Sequence, residues 1–186
     1  MNTPETQPSA RERLRSGLIQ FAVKRGDFVL ASGQKSNIYV DVRAVSLRGT
    51  YLRLIGELLW ERIRPAGAQA VGGLTLGADP IVAAVTIAAA DQGVDCPALI
   101  VRKSSKEHGT GRRVEGPMVS GMRVAVVEDV ATTGGSAQTA ADAIIACGGT
   151  VIGVYAVLDR HAGASELFAA RGWRFESLFS LSDIGV

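Results

Sequence analysis

The sequence predicts an α/β fold: a mostly parallel central sheet with helices on both faces, preceded by a small N-terminal cap. Three observations carry this. From residue 70 onward, short apolar strands alternate with helical stretches. Those strands, at 70–71, 98–101, 124–127 and 151–158, are unbroken apolar runs rich in valine, isoleucine and leucine rather than in–out alternations. Such runs belong to strands buried on both faces. Finally, 22 of the 186 residues are glycine, spread without a fixed period, as many tight turns and close backbone approaches require.

In order along the chain, residues 1–10 read as a frayed tail. Over 11–24, Leu14, Leu18, Phe21 and Ala22 recur at spacings of three and four, one stripe of a helix that Gly26 ends. Residues 28–41 read as two short strands around a turn at Ser32-Gly33. A second amphipathic helix over 50–64 carries Leu54, Ile55, Leu58 and Leu59 and stops at Pro65. Strand 70–71 leads through Gly72-Gly73 to a helix over 79–92, and strand 98–101 leads into a polar stretch. Strand 124–127 precedes an alanine-rich helix over 136–147 that Gly148-Gly149 ends. Strand 151–158, a helix near 165–170 and a strand near 175–179 complete the chain. Residues 1–45 stand outside the alternation and form the cap, part of one domain with the α/β core of 46–186. There is no internal repeat.

Composition narrows the function classes. Hydrophobic residues make up 47% and charged residues 20%, enough for a core and too apolar for wholesale disorder. A net charge of +2 gives no argument for nucleic acid as a partner. Two cysteines, Cys96 and Cys147, and two histidines, His108 and His161, make a zinc site improbable and fit a reduced, cytoplasmic setting. The longest apolar run, 80–90, is far short of the ~20 residues that span a bilayer, and residues 1–10 lack a signal peptide's apolar segment. No membrane or export role is expected.

The most informative stretch is Val124-Ala-Val-Val-Glu-Asp-Val-Ala-Thr-Thr-Gly-Gly-Ser136. An apolar strand delivers Glu128 and Asp129 to its carboxyl end, where open α/β sheets bind ligands. Adjacent carboxylates repel unless they accept hydrogen bonds from hydroxyls or face a cation. Ala131-Thr-Thr-Gly-Gly-Ser136 then enters a helix, so small residues, backbone N–H groups and the helix N-terminus form a phosphate cradle. The implied ligand is a ribose phosphate. There is no GxxxxGK[ST] motif, and Gly72-Gly-Leu-Thr-Leu-Gly77 is not GxGxxG.

This order of residues resembles the motif with which type I phosphoribosyltransferases bind 5-phosphoribosyl-1-diphosphate (PRPP). The resemblance implies that Glu128 and Asp129 hold the ribose hydroxyls, with Asp129 also catalytic. It implies that Ala131, Thr132, Thr133, Gly134, Gly135 and Ser136 hold the 5′-phosphate, with Val130 also a PRPP contact.

Residues 102–113 pack five of the 20 basic residues and one histidine into twelve positions, with glycines at 109 and 111. A solvated surface loop has the same look, whereas nucleic-acid contact lacks interleaved aromatics. Beside the acidic pair, the loop reads as a mobile lid over 102–117, whose cations stabilise a departing diphosphate and exclude water. Arg-Lys-x-x-Lys-x-His-Gly is similar to the catalytic loop of orotate phosphoribosyltransferases, the pyrimidine (UMP) biosynthesis branch. That resemblance gives Arg102, Lys103, Lys106 and His108 the roles of PRPP and transition-state contacts, and places Glu107 where a loop carboxylate lies. It also implies a homodimer in which the loop closes over the neighbouring subunit's site.

Phe28-x-Leu-x-Ser-Gly-x-Lys-Ser-x-x-Tyr-x-Asp41 resembles the hood of the same enzymes, where backbone around Ile38 and Tyr39 would read the pyrimidine edge. Some members carry a substrate-contacting lysine where this chain has Ala31; Lys35 is either its substitute or an exposed lysine on a turn. Arg160 ends strand 151–158, and its fork suits a carboxylate such as that of orotate, although an arginine after a strand is ordinarily a surface residue. The resemblance assigns it, with Thr132, to orotate. The segment 72–80 aligns with the diphosphate loop, without the lysine other members carry near Gly77. Mg²⁺ is expected to arrive on PRPP with no direct protein ligand, Asp79 and Asp129 meeting it through water. A purine phosphoribosyltransferase explains neither loop nor hood, and a non-catalytic PRPP-sensing regulator has no need of the basic loop.

Overall fold

The computed structural model describes residues 7–29, 35–104 and 113–186. A six-stranded sheet forms its centre, made of β3 (Ala70–Leu74), β4 (Ala98–Val101), β5 (Val114–Glu115), β6 (Arg123–Ala131), β7 (Thr150–Asp159) and β8 (Arg174–Ser180). Their spatial order is β5-β4-β3-β6-β7-β8, and every neighbouring pair is parallel except β4–β5. The crossover helices are α4 (Asp79–Ala90), α5 (Gly135–Ala146) and α6 (Ala164–Ala170).

Each face of the sheet buries its own core, and β6 shows why the sequence lacks alternation. Ala125 and Val127 pack on one side with Ile55 and Leu59 of α3 (Gly49–Ile63) and Ile81 and Val85 of α4. Val124 and Val126 pack on the other with Ala140 and Ile144 of α5 and Phe168 of α6. Both sets are apolar because both faces are covered.

The N-terminal elements are α1 (Ala10–Gly17), a π-helical turn over Leu18–Ala22, then β1 (Val23–Val29) and β2 (Lys35–Val40), paired antiparallel. The described part of the expected tail is shorter than residues 1–10 suggested. Ser9 caps α1, accepting from the Glu12 N–H at 3.2 Å while its own N–H donates to the Glu12 carboxylate at 2.7 Å. This reciprocal Ser-x-x-Glu box starts the helix at residue 10. The helix also ends before Lys24. Leu14, Leu18 and Ala22 are fully buried as the stripe predicts, but β-branched Val23 pairs with Val40 and turns the chain into β1. Gly26 lies inside β1, where the register shifts between Arg25 and Phe28, so it marks a bulge rather than a helix stop.

A short helix, α2 (Arg43–Ser46), follows β2 across the expected 45/46 division. Val40, Val42 and Val45 join Leu14 and Leu18 in the same core as Val127, Tyr155 and Phe179. The N-terminal helix also clasps the far end of the chain: Arg11 lies 4.4 Å from the Phe179 ring centroid, and Arg15 Nε donates to the Asp183 carbonyl. No helix among the described residues is long and apolar enough to cross a membrane.

Candidate active site

β6 runs to Ala131, so Glu128 and Asp129 belong to the last part of the strand rather than following it. Three concavities line up along the carboxyl edge of the sheet. The first, ≈ 250 Å³, is the cradle made by Val130, Ala131, Thr132, Thr133, Gly134, Gly135 and Ser136, with Glu128 in its wall. The second, ≈ 190 Å³, is bounded by Glu128, Asp129, Ser136, the loop at 74–77, Lys103 and Arg43. The third, ≈ 460 Å³, continues from Thr75, Leu76 and Lys103 to Arg102 and Ser104. Glu128 and Ser136 are shared by the first two, and Thr75, Leu76 and Lys103 by the last two. A continuous trough therefore leads from the cradle, past both carboxylates, to the basic end of β4.

Two glycines make this shape possible. Gly134 caps α5 at φ +84°, and a Cβ there would lie 2.8 Å from Leu167 and Phe168. Only glycine fits both the left-handed backbone and that approach. At Gly77 an added Cβ would sit 2.6 Å from the Asp129 carboxylate, so the 74–77 loop lies directly on it.

Glu128 is buried, and its Oε2 has no hydrogen-bond partner among the described residues. Burial, then the charge of Asp129 and a hydrogen bond with it, push the Glu128 carboxyl up to about 9. Its proton-bearing form lines the trough at neutral pH. Asp129 is half-buried, and one of its oxygens accepts the Val130 N–H at 2.9 Å.

Arg102 and Lys103 line the trough as the sequence leads one to expect, but the expected loop over 102–117 is not all loop. Val101 pairs with Val114 and Ile100 with Glu115 in the antiparallel β4–β5 pair. Arg102 Nε donates to Glu115 Oε1 at 3.0 Å across that pair, and Arg113 donates to the carbonyls of Arg102 at 3.4 Å and Lys103 at 3.3 Å. Lys106, Glu107 and His108 lie outside the described residues, as does Ala31.

The base-reading residues are less concentrated. Arg160 follows β7 beside the cradle, its N–H donating to the Ala131 carbonyl at 2.9 Å, with its side chain half-buried. Tyr39 packs on Phe28 with ring centroids 5.6 Å apart, and Ile38 is half-buried on the same strand. Lys35 is exposed and borders a separate hollow of ≈ 700 Å³ with Phe28 and Asn37. None of Lys35, Ile38 and Tyr39 lines the trough.

Sequence reasoning overlooked Arg43, which lines the central concavity from α2. The available signal was the charged pair Asp41-x-Arg43 closing the apolar run 38–40. No group of three or more His, Cys, Asp or Glu side chains is placed to hold a metal among the described residues. Asp129 alone presents a half-buried carboxylate to the central concavity, a donor set suited to an ion that brings its other ligands with it. Asp79 opens α4 just beyond; its Oδ1 has no partner among the described residues, burial raises its carboxyl above the ordinary value, and it does not line the trough.

Residues 50–169 match the phosphoribosyl transferase domain family. Over all 186 residues, and the whole of both chains, the sequence is 44% identical to an orotate phosphoribosyltransferase of Corynebacterium glutamicum. It is 45% identical to that of Thermosynechococcus vestitus over 97% of this chain and 95% of the other. The fold superposes on Mycobacterium tuberculosis orotate phosphoribosyltransferase in complex with Fe(III) dicitrate at a TM-score of 0.87, with 42% identity, covering 96% of this chain and 100% of that one. On the same enzyme in complex with PRPP the TM-score is 0.83 at 39% identity, with coverage of 96% and 100%. Adenine phosphoribosyltransferase from Leishmania donovani, at 16% identity and TM-score 0.67, shares the fold alone. With its strand-end carboxylates, its cradle and this likeness over the full length, the chain belongs to the orotate phosphoribosyltransferases of the phosphoribosyltransferase family.

Proposed function

We propose that the protein transfers the phosphoribosyl group of PRPP to N1 of orotate, giving orotidine 5′-monophosphate and diphosphate, a step of pyrimidine biosynthesis. The observation that carries this is the position of Glu128, in the wall shared by the phosphate cradle and the cavity beside Lys103. A ribose there has one end toward backbone N–H groups and the other toward cations.

In this reading the 5′-phosphate enters the cradle at 131–136 and the N-terminus of α5. The ribose hydroxyls meet Glu128 and Asp129, and the unpartnered Glu128 Oε2 gains a partner. The diphosphate lies against the 75–77 loop and Lys103, with Arg102 at the far end. As the C1–O bond loosens, charge builds on diphosphate, and fixed cations act where it develops. Orotate N1 attacks C1 directly, so the protein supplies position and electrostatics rather than a nucleophile. Lys106 and His108 close over the leaving group. Arg160, with Thr132, takes the orotate carboxylate, the hood strand β2 meeting the ring through Ile38 and Tyr39, with Lys35 beside it. Mg²⁺ bound with PRPP would offset the diphosphate charge, and Asp129 would hold it through water. The working form is a cytoplasmic homodimer that shares the basic loop between subunits.

The test is loss of orotate ultraviolet absorbance with PRPP, with and without Mg²⁺, run beside adenine, hypoxanthine and uracil. Turnover of orotate alone, abolished by chelation of the ion, is the expected result. Purine turnover, or PRPP binding without turnover of any base, overturns the reading. Mixing Lys106→Ala with Asp129→Ala protein restores part of the activity if the loop serves the neighbouring subunit, and restores none if each subunit uses its own.

A further inference from the structure

We propose that Arg43 is an additional PRPP contact, which grips the diphosphate from the wall of the central concavity that it shares with Lys103. This rests on the PRPP reading above. The central concavity is bounded by two carboxylates, and the segment Leu74-Thr75-Leu76-Gly77 that also lines it carries no charged side chain. Lys103 and Arg43 are the two cations in its wall. A diphosphate lying beside the Asp129 carboxylate needs positive charge close to it, and within this concavity Lys103 and Arg43 supply it.

Arg43 is built for the task. One Asp41 oxygen accepts both the Arg43 backbone N–H at 3.2 Å and Nε at 2.9 Å. That fixes the guanidinium plane at the start of α2 while the terminal amino groups donate to none of the described residues. The side chain is half exposed, and the charge of Asp129 reaches it. A planar fork held at Nε, with both Nη groups unengaged among the described residues, suits two oxygens of one phosphate group. Asp41 then acts as a positioning residue.

The experiment is calorimetric titration, in Mg²⁺, of PRPP, inorganic diphosphate and orotidine 5′-monophosphate into wild type, Arg43→Ala and Arg43→Lys. Expected is about 10- to 100-fold weaker binding of PRPP and diphosphate to Arg43→Ala, the scale of one charge-assisted hydrogen-bonding group. Arg43→Lys should lose less, and orotidine 5′-monophosphate, which has no diphosphate, should bind within about twofold of wild type. Unchanged PRPP and diphosphate affinities overturn the assignment. So does equal weakening of all three ligands, which marks Arg43 as a structural partner of Asp41 only. If Arg43→Ala does not fold, Arg43→Gln carries the same expectations. Wild-type protein that binds none of the three overturns the PRPP reading itself and the role of Arg43 with it.

Discussion

Glu128 holds a proton at neutral pH because burial disfavours its charge, with Asp129 adding to the effect. Its folded value of about 9 stands above the unfolded value of 4.5, so the folded state binds the extra proton between those limits. Stability is therefore fully present below about pH 4.5 and falls as pH rises through 9. Glu128→Gln removes that loss: its Tm should exceed wild type at pH 8, with the difference closing toward pH 4 in calorimetric scans. The same variant should bind PRPP more weakly, because only one of the amide's two terminal groups accepts from a hydroxyl and it cannot ionise to strengthen that bond. At the other end of the ligand, Arg160→Ala should raise KM for orotate by ~10-fold or more, as loss of a charge-assisted pair does, with little change in KM for PRPP. An unchanged orotate KM in steady-state assays removes Arg160 from the site.

Among the elements, the strand–cradle–helix unit was the most legible, because apolar strand, acidic pair and glycine turn are adjacent in sequence. Residues 124–136 could be read as one functional piece, and β6, the cradle and α5 follow in that order. Less visible were features set by contacts distant in sequence. The π-helical turn and the early start of β1 depend on Val23 pairing with Val40, and β5 depends on Val114 pairing with Val101. Neither pairing leaves a periodic trace, and a two-residue strand has no period at all. Arg43 was missed for the same reason: α2 brings it beside Gly77 and Asp129, which lie far along the chain. The cradle gives a sharp prediction. Gly134→Ala forces a Cβ to 2.8 Å from Phe168 at φ +84°, so it should destabilise by about 1–3 kcal/mol in urea titrations and weaken binding of ribose 5-phosphate. Wild-type stability and affinity together would show that the cap relaxes freely.

Across the molecule, the N-terminal elements and the sheet share one core, with Leu18 packed in the same cluster as Val127 and Phe179. Such a core melts as a unit. Leu18→Ala should cost about 2–5 kcal/mol and lower a single calorimetric transition. A separate early transition, leaving the sheet intact, would instead mean that the hood unfolds on its own. The pairing of Val101 with Val114 matters at this scale as well. It pins both ends of the twelve-residue basic segment, 102–113, to one rim of the sheet. With its flanking residues paired side by side, a segment of that length extends at most half its contour, roughly 20 Å at ~3.4 Å per residue. Any sister protomer served by that segment must present its trough inside this radius, which confines the partner to a narrow collar around β4 and β5.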